Sequence, residues 1–296
     1  MRLVVTGRSG QIVRALQALD GGSLTVVPLA RPVLDLTRPQ TIAAAVAATR
    51  PDALINAAAM TQVDDAERDP AAAAQINGVS AGLLASAAAD LHIPIVQIST
   101  DQVFDGSSAT PYRECDSIAP INAYGRSKAA GEAEVRTRNA NHAILRTSWV
   151  YDDNGRNFLT TMLRLAHNHS TVDVVCDQIG APCFASDLAV AIAAVARNLC
   201  DDRAGKGVGL FHMTHAGATS RAEFARRIFA YARTAGLAAA DIREIRTDDY
   251  PMLAARPLNC RLDCTRVAAV HGIRLPDWRD GLERCMRKLL AGGTAS

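Results

Sequence analysis

Tyr124 and Lys128 stand four residues apart in the run Pro120-Ile121-Asn122-Ala123-Tyr124-Gly125-Arg126-Ser127-Lys128. On an α-helix four residues turn through roughly 400°, so the two side chains fall within about 40° of each other on one face. A phenol ionises near pKa ~10, and a neighbouring ammonium, helped by a cationic cofactor ring, is what brings it into range for proton transfer near neutrality. That is the equipment a hydride-transferring reductase needs to protonate a ketone oxygen. A Tyr and a Lys four apart also meet by chance on many helices, so the elements around them decide the reading.

The chain opens with a β-branched run, Arg2 to Thr6, that enters Gly7-Arg8-Ser9-Gly10 and then a stretch with helical apolar spacing from Gln11 to Leu19. Strand, glycine turn and helix are the context in which small residues let a dinucleotide pyrophosphate approach backbone N–H groups at a helix N-terminus. The third glycine of that fingerprint is Val13 here, which predicts a slightly displaced helix with the pyrophosphate contact kept. A plain glycine turn without a ligand is the alternative. After the second strand a carboxylate would favour NAD and an arginine the 2′-phosphate of NADP. The sequence reads Leu29-Ala30-Arg31-Pro32, so Arg31 favours NADPH, with NADH allowed, and Asp35-Leu36 are placed along the adenine. A solvated surface arginine would look the same.

Strand-like runs recur at Leu24–Ala30, Ala53–Ala59, Ile95–Ser99 and His142–Thr147. They alternate with helical patterns at Thr41–Thr49, from Asp69-Pro70 to about His92, and around Tyr124. This alternation predicts an α/β fold, a doubly wound parallel sheet of Rossmann type. Residues 1–170 are expected to form the dinucleotide-binding domain. A segment near 205–235 would return to it, and 171–296 would form mainly a smaller C-terminal substrate-binding lobe. Short strands are expected at Val172–Cys176 and Gly209–Met213. Ser220-x-x-Glu223 reads as a capping box opening a helix that ends near Gly236, and Trp278, Leu282 and Met286 mark a last amphipathic helix. No internal repeat is found, and the tail from Gly292 reads as disordered.

With 32 basic and 30 acidic residues in 296, the formal charge of +2 supplies no global field for nucleic acid or an anionic membrane. Any anion must be held locally. Seven scattered cysteines show no C-x-x-C pairing, so reduced structural thiols are expected. The N-terminal apolar stretch is too short for a signal peptide and no 18 apolar residues run together, which reads as cytoplasmic.

Taken together, eight blocks in order resemble the dTDP-4-dehydrorhamnose reductase family of the extended short-chain dehydrogenase/reductase superfamily. They are Gly7-x-x-Gly10-Gln11; Asn56-Ala57-Ala58-Ala59; Val63-Asp64-x-Ala66-Glu67 with Asn77; Ser99-Thr100-Asp101-Gln102-Val103-Phe104-Asp105-Gly106; Pro120-x-Asn122-x-Tyr124-Gly125-x-Ser127-Lys128-x-x-Gly131-Glu132; Arg146-Thr147-Ser148-Trp149-Val150-Tyr151; Asp177-Gln178-x-Gly180-x-Pro182; and Arg256-Pro257. The resemblance implies reduction of the 4-keto group of dTDP-4-dehydro-6-deoxy-L-mannose, giving dTDP-L-rhamnose for surface polysaccharide. Thr100 would polarise the ketone, Tyr124 would donate the proton, and Lys128 would hold the cofactor ribose and lower the Tyr124 pKa.

Cofactor contacts are implied at Gly7, Ser9, Gly10, Gln11, Ile12, Arg31, Asp35, Leu36, Ala57, Ala58, Ala59, Asn77 and Ser99, as well as Tyr124 and Lys128. Substrate contacts are implied at Thr100, Asp101, Val103, Phe104, Asn122, Tyr124, Trp149 and Asn157, with Arg256 for the diphosphate. For Phe104 and Trp149 a packing role competes with a pocket role. Asp64 and Glu67 read equally as a solvated helix start. The family usually has tyrosine at Gln102. Glutamates that bridge a magnesium-linked dimer in some members align with Ala15 and Ser186, so no metal is expected, and a homodimer need not use that surface. The competing readings are a reductase of another nucleotide-linked 4-keto-6-deoxysugar, a non-catalytic NADP-binding subunit like the regulatory subunit of methionine adenosyltransferase, and, further off, an epimerase or dehydratase of the superfamily.

Overall fold

The computed structural model describes residues 1–202 and 204–293. The first half runs β1 (Arg2–Thr6), α1 (Gln11–Gln17), β2 (Thr25–Leu29), α2 (Ile42–Ala48), β3 (Ala53–Asn56), α3 (Val63–Arg68), α4 (Pro70–Ala73), a π-helical stretch (Ala74–Val79), α5 (Ser80–Asp90), β4 (Ile95–Thr100), α6 (Ala123–Arg138) and β5 (His142–Thr147). The second half adds β6 (Val150–Tyr151), α7 (Phe158–Ala166), β7 (Thr171–Val175), β8 (Ile179–Gly180), β9 (Cys183–Phe184), α8 (Ala185–Asp201), β10 (Gly209–His212), β11 (Thr219–Ser220), α9 (Arg221–Thr234), β12 (Asp241–Ile245), α10 (Thr265–His271) and α11 (Trp278–Gly293).

Six strands form one parallel sheet in the order β10-β5-β4-β3-β1-β2. The chain steps outward from β1 to β2, then returns past β1 to β3. Strand order therefore reverses beside β1, and ligands of such sheets bind outside the strand C-termini at that point. Alternate residues of β1 serve opposite faces, as strand geometry requires. Leu3 and Val5 pack with Val13 and Leu16 of α1 and Leu188, Ile192 and Val195 of α8. Val4 packs on the other side with Ile42 and Val46 of α2, Leu84 and Ala88 of α5 and Val135 of α6. Cover on both faces explains why every residue of β4 and β5 is buried.

A third core, built on Tyr151, Phe224, Ile228, Trp278 and Leu282, holds together α7, α9 and α11 with the parallel pair β7 and β12. This is the second lobe. Its boundary departs from the expected one in two respects. The helix α8, for which no element was expected, covers one face of the nucleotide-binding sheet, because its apolar residues recur often enough to bury most of its surface. Conversely, of the segment expected to return near 205–235 only β10 joins the sheet, while α9 packs in the lobe through Phe224, Ile228 and Phe229. Asp69 caps the helical run after β3, accepting from the Ala72 N–H at 2.9 Å. Of the tail expected from Gly292, the backbone of 292 and 293 closes α11, and residues 294–296 lie outside the described residues. Among the described residues no helix is long and apolar enough to cross a membrane.

Candidate active site

Helix α6 carries both residues of the opening pair, and its position is set by close backbone approaches. Asn122 caps it, its Oδ1 accepting from the Gly125 N–H at 2.8 Å. A Cβ at Gly125 would stand 2.1 Å from the Gln102 carbonyl oxygen, and one at Gly131 would stand 2.1 Å from the Asn77 carbonyl oxygen. Glycine at both places lets α6 seat against the loop after β4 and against the π-helical stretch. Asn77 ties that stretch further: its Oδ1 accepts from Met60 N at 2.8 Å, and its Nδ2 donates to Ser127 Oγ at 2.9 Å and to Met60 O at 3.1 Å. Behind the site Arg146 makes a two-point ion pair with Glu132 (2.9 and 2.7 Å), both buried, and Ser99 Oγ donates to the same carboxylate at 2.5 Å.

Tyr124, Lys128 and Thr100 all line one cavity of about 790 Å³. Thr100 Oγ donates to Asp101 Oδ1 at 2.8 Å and accepts from Gln102 N at 3.2 Å. Lys128, only 4 % exposed, donates from Nζ to the Ile98 carbonyl at 2.6 Å. Burial drives its pKa down to about 8, against the raising influence of Glu132. Burial, and then the charge of Asp101, push the Tyr124 phenol well above its ordinary value, with Thr100 acting in the opposite direction. The expected lowering of Tyr124 by Lys128 is therefore not a feature of the protein alone: Tyr124 stands fully protonated, the state from which a donor must start. Burial likewise raises the Asp101 carboxyl, against the hydrogen bond from Thr100.

Five buried side-chain atoms of residues lining this cavity, Gln11 Oε1, Arg14 Nε, Asp101 Oδ2, Thr147 Oγ1 and Ser148 Oγ, have no hydrogen-bond partner among the described residues. Buried polar groups are nearly always paired, so such a cluster marks where a polar ligand completes the structure. The cofactor end fits a dinucleotide. Gly7, at φ 104°, has no side chain to block the approach, and Val13 Cγ2 packs 3.2 Å from where a Cβ would stand. The first turn of α1 has no side-chain cap, leaving its N–H groups to a ligand. Ser9, Gly10, Gln11, Ile12, Ala57, Ala59 and Ser99 line the main cavity. A second cavity of about 570 Å³ opens beside it, with Gly7, Arg8, Arg31, Leu34, Leu36, Ala58, Ala59, Met60 and Ile76 around an apolar slot suited to adenine. Asp35 is not on that slot: it pairs with Arg31 at 3.4 Å and accepts from Thr37.

Several expected substrate residues lie elsewhere. Val103 and Phe104 are wholly buried with Tyr112 and Leu262, Phe104 stacking on Tyr112 at 4.1 Å, so packing accounts for both. Asn122 is also buried, its Nδ2 donating to Gln102 Oε1 and Ala255 O, both at 2.9 Å, and it positions α6 from outside the cavity. That bond engages Gln102, the residue standing where the family usually has tyrosine. Asn77 does not reach the cavity either. Arg256 is held by Asp64 at 3.0 Å and by the Ala254 carbonyl at 2.9 Å, away from the cavity wall. Asp64 is thus no solvated helix start, and Glu67 accepts from Ala123 N at 2.8 Å. Asp101, Trp149 and Asn157 do line the cavity, Asn157 also capping α7.

Sequence reasoning passed over Thr6, whose Oγ accepts from Ala57 N and Ala58 N, and Arg8, Arg156 and Arg221 on the cavity walls. Arginines carry no spacing signature, and only the fold brings these three to the site. Among the described residues no group of three His, Cys, Asp or Glu side chains is arranged to hold a metal.

Residues 1–291 match the family described as RmlD substrate binding domain. A dTDP-4-dehydrorhamnose reductase of Sinorhizobium fredii is 41 % identical over 293 residues, covering 99 % of both chains. One from Burkholderia thailandensis is 42 % identical over 301 residues, covering 98 % of this chain and all of the relative. The crystal structure of a dTDP-4-dehydrorhamnose reductase from Bacillus anthracis in complex with NADP superposes with a TM-score of 0.90 at 33 % identity, covering 97 % of this chain and 99 % of that one. Joined to the parallel sheet and the Thr100, Tyr124 and Lys128 cavity, these matches establish that the chain belongs to the dTDP-4-dehydrorhamnose reductase family.

Proposed function

We propose that this protein reduces the 4-keto group of dTDP-4-dehydro-L-rhamnose to the alcohol of dTDP-L-rhamnose, with NADPH as the preferred reductant. The observation that carries the reading is one cavity that holds Thr100, Tyr124 and Lys128 together with five unpartnered buried polar atoms. When bound, NADPH supplies the hydride. The chain's own residues supply the rest. Thr100 Oγ, already tethered to Asp101, turns its proton toward the ketone oxygen and stabilises charge developing there. Tyr124, held protonated by burial, passes its proton to that oxygen as the alcohol forms. Lys128, fixed by the Ile98 carbonyl, presents its ammonium to the ribose and to the tyrosinate left behind. Trp149, Phe158 and Val150 give the cavity an apolar stretch of wall. Arg8 and Arg31 flank the adenine slot and suit a 2′-phosphate.

A purely regulatory subunit would not need a protonated Tyr124 and a fixed Lys128 on an open cavity. The reading is tested by mixing purified protein with dTDP-4-dehydro-L-rhamnose made in situ, and following NADPH and NADH absorbance in parallel with chromatography of the sugar nucleotide. Consumption of NADPH, faster than NADH, with one equivalent of dTDP-L-rhamnose formed is expected. Cofactor binding without consumption would reject it in favour of another keto-sugar or a binding role.

A further inference from the structure

Arg221, the first residue of α9, stands on the wall of this cavity. Its guanidinium lies over the Trp149 ring, 3.6 Å from the centroid, with the Phe158 ring at 5.2 Å. No side-chain or carbonyl acceptor among the described residues takes any of its N–H donors. Its geometry is nevertheless fixed from several sides. The Arg221 N–H donates to the Gln178 carbonyl at 3.3 Å, and Trp149 holds a left-handed φ of 43°. A Cβ at Gly180 would stand 2.7 Å from the indole, so glycine there makes room for the ring on its other side. The Asp177-Gln178-x-Gly180-x-Pro182 block thus builds a seat for Trp149, and Trp149 builds one for Arg221.

Arg221 is half-buried, stacked on the indole and without an acceptor for its guanidinium, while the Asp101 carboxyl, itself raised by burial, acts on it through charge alone; a cation held so on a cavity wall is arranged for a ligand of opposite sign. The other cations of this cavity are otherwise engaged or placed. Arg14 donates to the Ser9 and Asn154 carbonyls and stands 3.8 Å from Asp152. Lys128 is on the Ile98 carbonyl. Arg156 belongs to the exposed loop that Arg14 ties over the glycine turn, at the cofactor end. Arg256, off the cavity wall, is neutralised by Asp64. Among the described residues Arg156 and Arg221 are the guanidiniums of this cavity without an acceptor, and Arg221 is the one whose charge acts on Asp101, the neighbour of Thr100, which places it on the ketone side.

We propose that Arg221, stacked on Trp149, receives the diphosphate of the nucleotide sugar and selects nucleoside-diphosphate-linked sugars over uncharged ones. This deepens the reductase reading and rests on it. Two parallel N–H donors match two phosphate oxygens, and the stacked plane fixes their direction before the ligand arrives.

Calorimetry with thymidine 5′-diphosphate as probe, on NADP-loaded wild type, R221M, R221K and R221Q, tests it. Loss of a bidentate charged contact should weaken the probe by about 10- to 100-fold in R221M and R221Q and by less in R221K, with NADPH affinity and melting temperature unchanged. R221M keeps an unbranched side chain over the indole, so undiminished binding there would assign the site to packing and overturn the proposal. Failure of the wild type to bind the probe would overturn it too. Should R221M and R221Q fail to fold, R221K decides alone: an affinity equal to wild type refutes the planar, two-point contact. In turnover assays the variants should raise KM for the nucleotide sugar far more than they lower kcat. A wild type that binds the probe but reduces no keto-sugar would sink the reductase reading while leaving the probe comparison to judge Arg221.

Discussion

In the proposed reaction Tyr124 works from a phenol that burial keeps protonated, so its value would lie in being a placed donor and not in any ease of ionisation. Tyr124→Phe should leave NADPH affinity intact and lower kcat by a factor on the order of 10²–10⁴, the worth of a positioned acid, as measured by steady-state kinetics. Unaltered turnover would remove Tyr124 from the mechanism. The pKa of Lys128 is depressed to about 8, so its ammonium is present below that pH and disappears above it. The pH profile of kcat/KM should therefore fall on the alkaline side through about 8, and Lys128→Met should lose that limb together with most of the activity. A profile flat to pH 10 would contradict the role assigned to this charge. At this scale the Tyr124 and Lys128 spacing is marked by type and interval, whereas Thr100 is reached only through the family motif that contains it. Val103, Phe104, Asn122 and Arg256 show the limit. They sit in the same motifs as contact residues, but whether a motif residue faces ligand or core depends on packing that no local pattern records. Arg221 fails in the other direction, since a lone arginine at a helix start carries no mark of the indole beneath it.

Among the elements, α6 is the one whose placement the chemistry depends on most. Gly125 and Gly131 admit carbonyl oxygens of neighbouring segments where any side chain would collide. Gly125→Ala should push the first turn of α6 from the Gln102 loop and separate Tyr124 from Thr100. A shift near 1 Å costs about 10²-fold in kcat, readable in a protein whose far-UV spectrum is unchanged. Wild-type turnover in that variant would mean the contact does not set the geometry. The buried pair of Arg146 and Glu132 supports the same helix from beneath. Glu132→Ala leaves the guanidinium uncompensated and should cost about 3–5 kcal/mol of stability by denaturant unfolding, and a loss under ~1 kcal/mol would show the pair to be dispensable. The regular strand and helix alternation up to β5 could be read from periodicity, because a sheet covered on both faces demands continuous apolar strands. The pairing of β7 with β12 could not, since it joins segments some 70 residues apart, whereas α8 repeats Leu188, Ile192, Val195 and Leu199 at helical spacing, a signal the sequence does carry.

At the level of the whole molecule, a six-stranded parallel sheet with its strand reversal beside β1 receives the dinucleotide, and a lobe centred on Trp278 and Phe224 brings α9 over the strand ends. The cavity lies where these two meet, with residues from β4, α6, the loop after β5 and α9 on its walls. The near-neutral formal charge of +2 supplies no field over the surface, so on the proposed reading anionic ligands are left to particular arginines and backbone donors. The most direct test of the central claim is the fate of the hydride. With NADPH carrying deuterium at both nicotinamide C4 positions and dTDP-4-dehydro-L-rhamnose as substrate, mass and NMR spectra of the product should show a single deuterium, bonded to C4 of dTDP-L-rhamnose, with this product formed in Tyr124→Phe at a rate lower by the same factor on the order of 10²–10⁴. Product without deuterium at C4, or an unchanged sugar nucleotide in the presence of bound NADPH, would contradict the account.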